Sequence, residues 1–213
     1  PHMVDTLIRA GFTGIEAEIC MLGDYYNDWR KLKDLLDEKG VVLAALAIHE
    51  DWLHHEETVE EYERMEESIE FLTHFPTAKL LLCHVAADPV REHCLYEKQV
   101  NQMSCIAKVA KRASEQGIVS AYHPNSGSNS VFRYESDYHI MFDALYKYGI
   151  GYAPDIGHMM NGNIDPLKVI KENREIIRHV HFKDMLPDHT WTTMGQGIGN
   201  FKDIVDFLKE TDY

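Results

Sequence analysis

Two short apolar runs end in polar residues that packing does not explain: IGYAPDIGH carries Asp155 and His158, and HVHFKD carries His181, Lys183 and Asp184. A carboxylate and an imidazole at the ends of successive strands can share one divalent cation. Mixed oxygen and nitrogen donors suit Mn²⁺, Co²⁺, Mg²⁺ or Zn²⁺ better than a thiolate-seeking ion. Asp155 and His181 are therefore candidate metal ligands, and His123, in AYHPN at the end of the preceding run, is a third. His158 lies one short step past Asp155, better placed to touch a substrate than a metal, and Lys183 is suited to hold a carbonyl or carboxylate oxygen. These two are the candidate catalytic residues. Asn125 offers a partner for a sugar hydroxyl, and Pro124 keeps the residue before it out of the helical region, sharpening the turn that presents both.

Such groups act together only if the elements carrying them converge. Hydrophobic periodicity predicts strands over 14–20, 41–49, 79–85, 118–123, 150–155 and 179–183. Helices are predicted over 4–10, 29–38, 58–75, 100–116, 135–148, 166–177 and 201–210, four of them followed by the glycine of a left-handed cap. Strict strand–helix alternation implies a parallel sheet. An open nucleotide-binding sheet would show a glycine-rich phosphate turn directly after a strand, whereas Gly195, Gly197 and Gly199 follow a long loop. Nearly every strand ends instead in a polar group: Glu16 and Glu18, His49, His84, His123, Asp155 and His181. Glu16, favoured over Glu18 as the inward-facing one, joins His49, His84 and Asn125 as candidate substrate-binding residues. Converging polar strand ends describe the mouth of a (β/α)8 TIM barrel. Such a barrel has eight strands in about 250 residues, and the pattern here gives fewer strands in 213 residues. The expectation is an α/β chain forming an incomplete TIM barrel, without its first strand and its last strand–helix unit. It would be one domain over residues 4–213, with Pro1, His2 and Met3 a tag remnant. Uncovered parallel edges invite association, so a homo-oligomer is also expected.

Composition narrows the function classes. With 45% apolar and 26% charged residues the chain can bury a core, and its longest apolar run, AKLLLCHVAA, falls well short of a membrane helix. No signal peptide is visible, so a cytoplasmic, soluble protein is expected. The net charge of −14 disfavours nucleic acid as a partner, the mild basic face of Lys108, Lys111 and Arg112 being the one exception to an acidic pattern. The four cysteines lack CxxC spacing and read as reduced thiols, two of them in apolar strand or helix patterns. No Gly-x-Ser-x-Gly elbow appears, which disfavours acyl transfer. Tyr25, Tyr26 and Trp29 are suited to stack on a sugar ring or to cover the barrel end, while His54, His55 and the acidic run over 56–70 read as solvated.

The segments GFTGIEAEI, AYHPNSGS, GYAPDIGHMMNGNIDP, HVHFKD and TMGQGIGNFKDIVDFLKETDY resemble, in order and spacing, the xylose isomerase-like barrels. That superfamily includes sugar-phosphate isomerases and epimerases, inosose dehydratase, hydroxypyruvate isomerase and endonuclease IV. The resemblance implies a divalent-metal site with four ligands, two of which fall on Asp155 and His181. It also implies that His158 contacts substrate and that Glu16 is the glutamate closing the second barrel strand. The family's other two ligands are glutamates, and here the chain departs: the fifth-strand slot lies near His123, Phe132 stands roughly where dehydratase-like members carry a glutamate, and the eighth-strand ligand would lie beyond Tyr213. The implied function is a divalent-metal-dependent isomerase, epimerase or dehydratase that acts on a sugar, keto-sugar or cyclitol by proton transfer next to a carbonyl. A full-length protein is expected to be an enzyme, and this chain would be inactive if both glutamates are required. The alternatives are a non-catalytic carbohydrate-binding barrel and an apurinic-site endonuclease, the latter opposed by the acidic charge.

Overall fold

Short runs of mostly inward-packed residues form strands β1 (Gly14–Glu18), β2 (Val42–Glu50), β3 (Lys79–His84), β4 (Ser120–His123) and β5 (Gly151–Tyr152), joined in sequence order as one parallel sheet. The computed structural model describes residues 2–84 and 88–213, so Val85, expected to end the third strand, lies outside the described residues. Helices α1 (His2–Arg9), α2 (Ile19–Leu22), α3 (Trp29–Lys39), α4 (Val59–Thr73), α5 (Leu95–Glu115), α6 (Glu135–Tyr148), α7 (Ile156–Asn161), α8 (Pro166–Glu172) and α9 (Phe201–Glu210) alternate with the strands. Of the expected tag remnant, Pro1 lies outside the described residues, and His2 and Met3 lie in the first turn of α1.

Local chemistry sets the helix ends. Thr58 and Glu61 form a reciprocal capping box at the start of α4, and Asp28 accepts from the Lys31 N–H at the start of α3. Gly40 and Gly149 end α3 and α6 at φ 65° and 67°, a left-handed conformation that other residues adopt only at a cost. Helix α5 starts earlier than the sequence predicts, at Leu95, and α8 stops at Glu172, with a 3-10 turn over Arg174–Ile176 completing the expected length.

The core has two layers. The larger lies between sheet and helices, where Leu46, Leu80, Leu82, Ile106 and Met141 are fully buried. The smaller lies inside the curl of the sheet and is made of Ala45, Ala47, Leu81, Cys83, Ala121 and Ala153. Successive residues of a strand face opposite sides, so Glu16, Ala45, His49, Cys83 and His123 continue this inner set toward the carboxyl ends. The register agrees: Glu16 stands beside Ala45, His49 beside Cys83, and Cys83 beside His123. The mostly small inner residues leave room above them for polar groups.

The predicted strand over 179–183 forms no continuous ladder. It joins the sheet through two isolated parallel bridges, Tyr152 with Ile177 and Asp155 with His181, carried by Arg178 N–H to Tyr152 O and His181 N–H to Pro154 O at 2.9 Å each. Pro154 has no N–H to give, which breaks the row of rungs. Even so the sheet curls far enough for Glu16 on β1 to reach this last segment: its Oε2 accepts from His179 Nε2 and His181 Nε2, both at 2.7 Å. The outcome is an open barrel closed along one seam by side chains.

The segment after Lys183 holds a ribbon that sequence reading missed, β6 (Asp184–Met185) paired antiparallel with β7 (Trp191–Thr192). Its organiser is Asp184, 2% exposed, whose carboxylate accepts backbone N–H bonds from Met185, Gly195, Gly197 and Gly199 at 2.8–3.0 Å. The glycines answer a steric need, since a Cβ on Gly197 would lie 2.2 Å from Met185 O. Asp184→Ala would strand four N–H groups. It is expected to lower the unfolding free energy by about 2–4 kcal/mol, read as a fall in the urea midpoint.

Candidate functional site

Eight of the nine candidate residues line one cavity of about 590 Å³ at the carboxyl ends of the strands: Glu16, His49, His84, His123, Asn125, His158, His181 and Lys183. Glu18 lines it too, so both glutamates of β1 face inward, as residues two apart on a strand must. The ninth candidate, Asp155, is 0% exposed and sits behind the lining residues rather than among them.

Asp155 is the hub. Its Oδ1 caps α7 by accepting the His158 N–H at 2.9 Å. Its Oδ2 meets Lys183 Nζ at 3.0 Å, His123 Nε2 at 3.4 Å, His181 Nδ1 at 3.6 Å and His158 Nε2 at 3.9 Å. Burial alone would raise its pKa, but the hydrogen bonds from His123 and His181 and the charge of its neighbours hold it far below the usual carboxylate range. It is a permanent buried anion.

The histidines around it differ in state. Burial pulls His181 down, but bonds to Asp155 and Glu16 outweigh this and raise it to about 9. Burial lowers His158 to about 4, helped by the Lys183 ammonium against the pull of Asp155, and burial lowers His123 as well. Glu16, which burial would raise, is brought down to about 2 by the two imidazole bonds. Glu16 Oε2 therefore serves His179 and His181 while the residue still lines the cavity, and it turns His181 so that Nδ1 faces Asp155. That is the carboxylate–imidazole support found behind metal-binding histidines.

His158 is oriented by residues that sequence reading missed. Its Nδ1 lies 2.9 Å from Ser126 Oγ, which accepts from Asn161 Nδ2 at 2.8 Å, while Arg133 Nη1 holds Ser126 O at 2.8 Å. On the far side Lys183 Nζ lies 3.2 Å from His158 Nε2. An ammonium can only donate, so Nε2 is the acceptor and the neutral ring carries its proton on Nδ1. Lys183 pairs with Asp155 and not with its neighbour Asp184, because Asp184 is consumed by the glycine loop.

The remaining candidates are more committed. Asn125 donates to His84 O at 2.6 Å and accepts from Ser130, so its amide fixes the cavity wall. His84 is bonded to the Asp51 backbone, and burial holds it at about 4. Burial pushes the Cys83 thiol up, which keeps it from acting as a thiolate, and all four cysteines are free. Phe132 is buried against Tyr122, with ring centres 5.9 Å apart, and supplies no ligand. Tyr26 and Trp29 do not line the cavity: Tyr26 packs on Phe71 and Trp29 stacks on His74 at 3.7 Å, because both point at α4. The aromatic at the mouth is Trp191, edge-on to His158 at 5.7 Å.

Residues 4–213 match the family model described as xylose isomerase-like TIM barrel. The chain belongs to the xylose isomerase-like TIM-barrel family. Within it, this barrel is 24% identical over 243 residues to an inosose dehydratase of Lacticaseibacillus casei, covering 99% of this chain and 78% of that protein. Among solved structures it resembles the probable 3-DHS dehydratase AsbF of Bacillus anthracis, at 16% identity and TM-score 0.74 over 100% of this chain and 84% of that one. It also resembles the IOLI protein with a zinc atom, at 14% identity and TM-score 0.76 over 97% and 78%. Among the described residues no helix is long and apolar enough to cross a membrane. In this xylose isomerase-like barrel His123, His158, His181 and Lys183 gather around the Oδ2 of Asp155.

Proposed function

We propose that this chain is the body of a divalent-metal-dependent epimerase, isomerase or dehydratase that moves a proton next to the carbonyl of a sugar, keto-sugar or cyclitol. The observation that carries it is the Asp155 hub, one buried carboxylate oxygen faced by three imidazoles and an ammonium that themselves line a strand-end cavity. The dehydratase and zinc-bearing relatives support the same reading.

The donors present fit a metal. His123, Asp155 and His181 offer two nitrogens and an oxygen within 4.8 Å of one another. His123 Nδ1 is buried with no hydrogen-bond partner among the described residues, so this ring is not fully committed to the protein. A set of two histidines and one carboxylate with open positions suits Mn²⁺, Co²⁺ or Zn²⁺, and Mg²⁺ less well. Bound there, the ion would polarise a substrate carbonyl. A second cluster, Glu16 with His179 and His181, shares His181 and is read as its support.

The chain's own groups handle the proton. His158 Nε2, the acceptor side of a ring fixed by Ser126, takes the proton from the carbon beside the carbonyl. Lys183 Nζ, 3.2 Å from His158 Nε2 and so on the same side of the substrate, protonates the departing hydroxyl in dehydration, whereas epimerisation needs its proton returned to the opposite face by another group of the cavity wall. Glu18 and His49 border the cavity and are suited to bind hydroxyls. Incubating the Mn²⁺-loaded protein with keto-sugars and inososes in D₂O is expected to exchange the C–H beside the carbonyl, followed by NMR. His158→Ala should slow exchange by about 10²–10⁴-fold. Sugar binding with no exchange in any candidate would instead establish a carbohydrate-binding barrel.

A further inference from the structure

Beside the main cavity lies a second one of about 400 Å³ that shares His158 and Lys183 with it and is otherwise walled by Phe182, Asp184, Trp191, Thr192 and Met194. Its character differs: the main cavity is ringed by imidazoles and carboxylates, and this annexe adds an indole, a phenyl and a thioether, its one carboxylate, Asp184, being engaged by the backbone N–H groups of the glycine loop. Trp191 is 48% exposed and Met194 50% exposed, so neither is spent on the core. Nor is Trp191 loose. Its strand is paired with Met185, and the loop that follows is fastened to Asp184 by three glycine N–H bonds. The indole rests over the bare backbone of Gly157, where a Cβ would come within 2.8 Å of Cζ3. A single exposed apolar side chain needs no explanation. A rigid, half-exposed indole set at right angles to the His158 imidazole with ring centres 5.7 Å apart, facing a cavity that shares His158 and Lys183 with the reaction site, does.

Resting on the reading of the main cavity as a sugar site, we infer that the annexe receives a ring attached to that sugar, so that the substrate is a glycoside whose aglycone ring stacks on Trp191. A pyranose or aryl ring offers an apolar face of the right kind, and aromatic platforms bind such faces while polar groups at the rim fix orientation. The two cavities meet at His158 and Lys183, which puts the junction between the rings beside the proton-handling pair. The inference narrows the chemistry. A glycosidic bond locks the sugar ring, so opening to an open-chain aldose or ketose is closed off, and the carbonyl beside which the proton moves must be a ring ketone. Epimerisation or dehydration remain, and aldose–ketose isomerisation drops out.

The test is a set of matched ligands: methyl and phenyl glycosides of D-glucose, D-galactose and D-mannose in both anomers, each also oxidised to a ring ketone, with the free sugars, cellobiose and maltose. Binding is measured by calorimetry and saturation-transfer NMR on the Mn²⁺-loaded protein. The phenyl member of a binding pair is expected to bind about tenfold tighter than its methyl partner. Trp191→Ala should remove that gain and leave the methyl glycoside within about twofold, while Trp191→Phe should retain most of it. A larger gain for a disaccharide than for the phenyl glycoside assigns the annexe to a second sugar, and the reverse assigns it to an aryl group. Equal affinity within pairs, or equal weakening of both members by Trp191→Ala, overturns the subsite while leaving the sugar reading intact. Failure of free sugars and all glycosides to bind overturns both.

Discussion

Asp155→Ala and His181→Ala are each expected to weaken Mn²⁺ or Co²⁺ binding by at least about 100-fold in a calorimetric titration, more than loss of a supporting outer residue costs a metal site. Asp155 is fully buried and its Oδ2 faces every other candidate ligand and the Lys183 ammonium, so no neighbour can take its place. Removing it also leaves His181 and Lys183 without their counter-charge and α7 without its cap, a loss of about 3–5 kcal/mol for a broken buried pair. Asp155→Asn separates the two effects: it keeps an oxygen for the His158 N–H and nearly the same volume, but gives a neutral, weaker donor. The expected order of affinity is wild type, then Asp155→Asn, then Asp155→Ala, with the Asn variant folded by circular dichroism. Unchanged metal binding in both Asp155→Ala and His181→Ala would sink the metal site.

How far the chain could be read without coordinates follows from what each residue depends on. Asp155, His158, His181 and Lys183 were legible as polar groups following short apolar runs at strand–helix spacing, although the regular ladder stops at Tyr152 and reaches His181 only through an isolated bridge. The parallel order of β1 to β5 followed from the same alternation. Ser126 and Asn161 were not legible: one sits in a loop and the other at the end of a helix of six residues, and neither has a period to betray where it points. Trp191 was hidden in the same way, in a two-residue strand whose partner, β6, begins where the expected sixth strand ends. Tyr26 and Trp29 went astray because an aromatic near a strand end suits a binding site and a helix contact equally, and only the path of the chain past α4 decides. Glu16 was found but its partners were not. The seam that gives it two imidazoles joins residues 163 and 165 positions away, a distance no local pattern spans.

That seam leads to the sign of the pH dependence. His181 at about 9 carries a proton at neutral pH in the metal-free protein, and a metal must displace it, because a ligating nitrogen cannot keep its proton. Asp155 is already ionised, and burial keeps His123 neutral, so His181 is the group whose proton is exchanged. Apparent affinity is therefore expected to rise about tenfold per pH unit from pH 7 toward 9 and then to level off. Calorimetry at pH 7 in two buffers of different ionisation enthalpy should show about one proton released per metal, falling toward none above pH 9. The folded protein responds in the opposite sense. A histidine raised above its unfolded value contributes stability that is complete below about 6.5 and is lost as pH passes through about 9. Glu16, held at about 2, keeps its contribution throughout this range and loses it only in strong acid. Over the window in which the apo protein loses the His181 bond, the metal binds more tightly, so the rise in melting temperature on adding Mn²⁺ should widen between pH 7 and 8.5. A pH-independent affinity, or no proton release at pH 7, would show that His181 is not the ligand whose proton gives way.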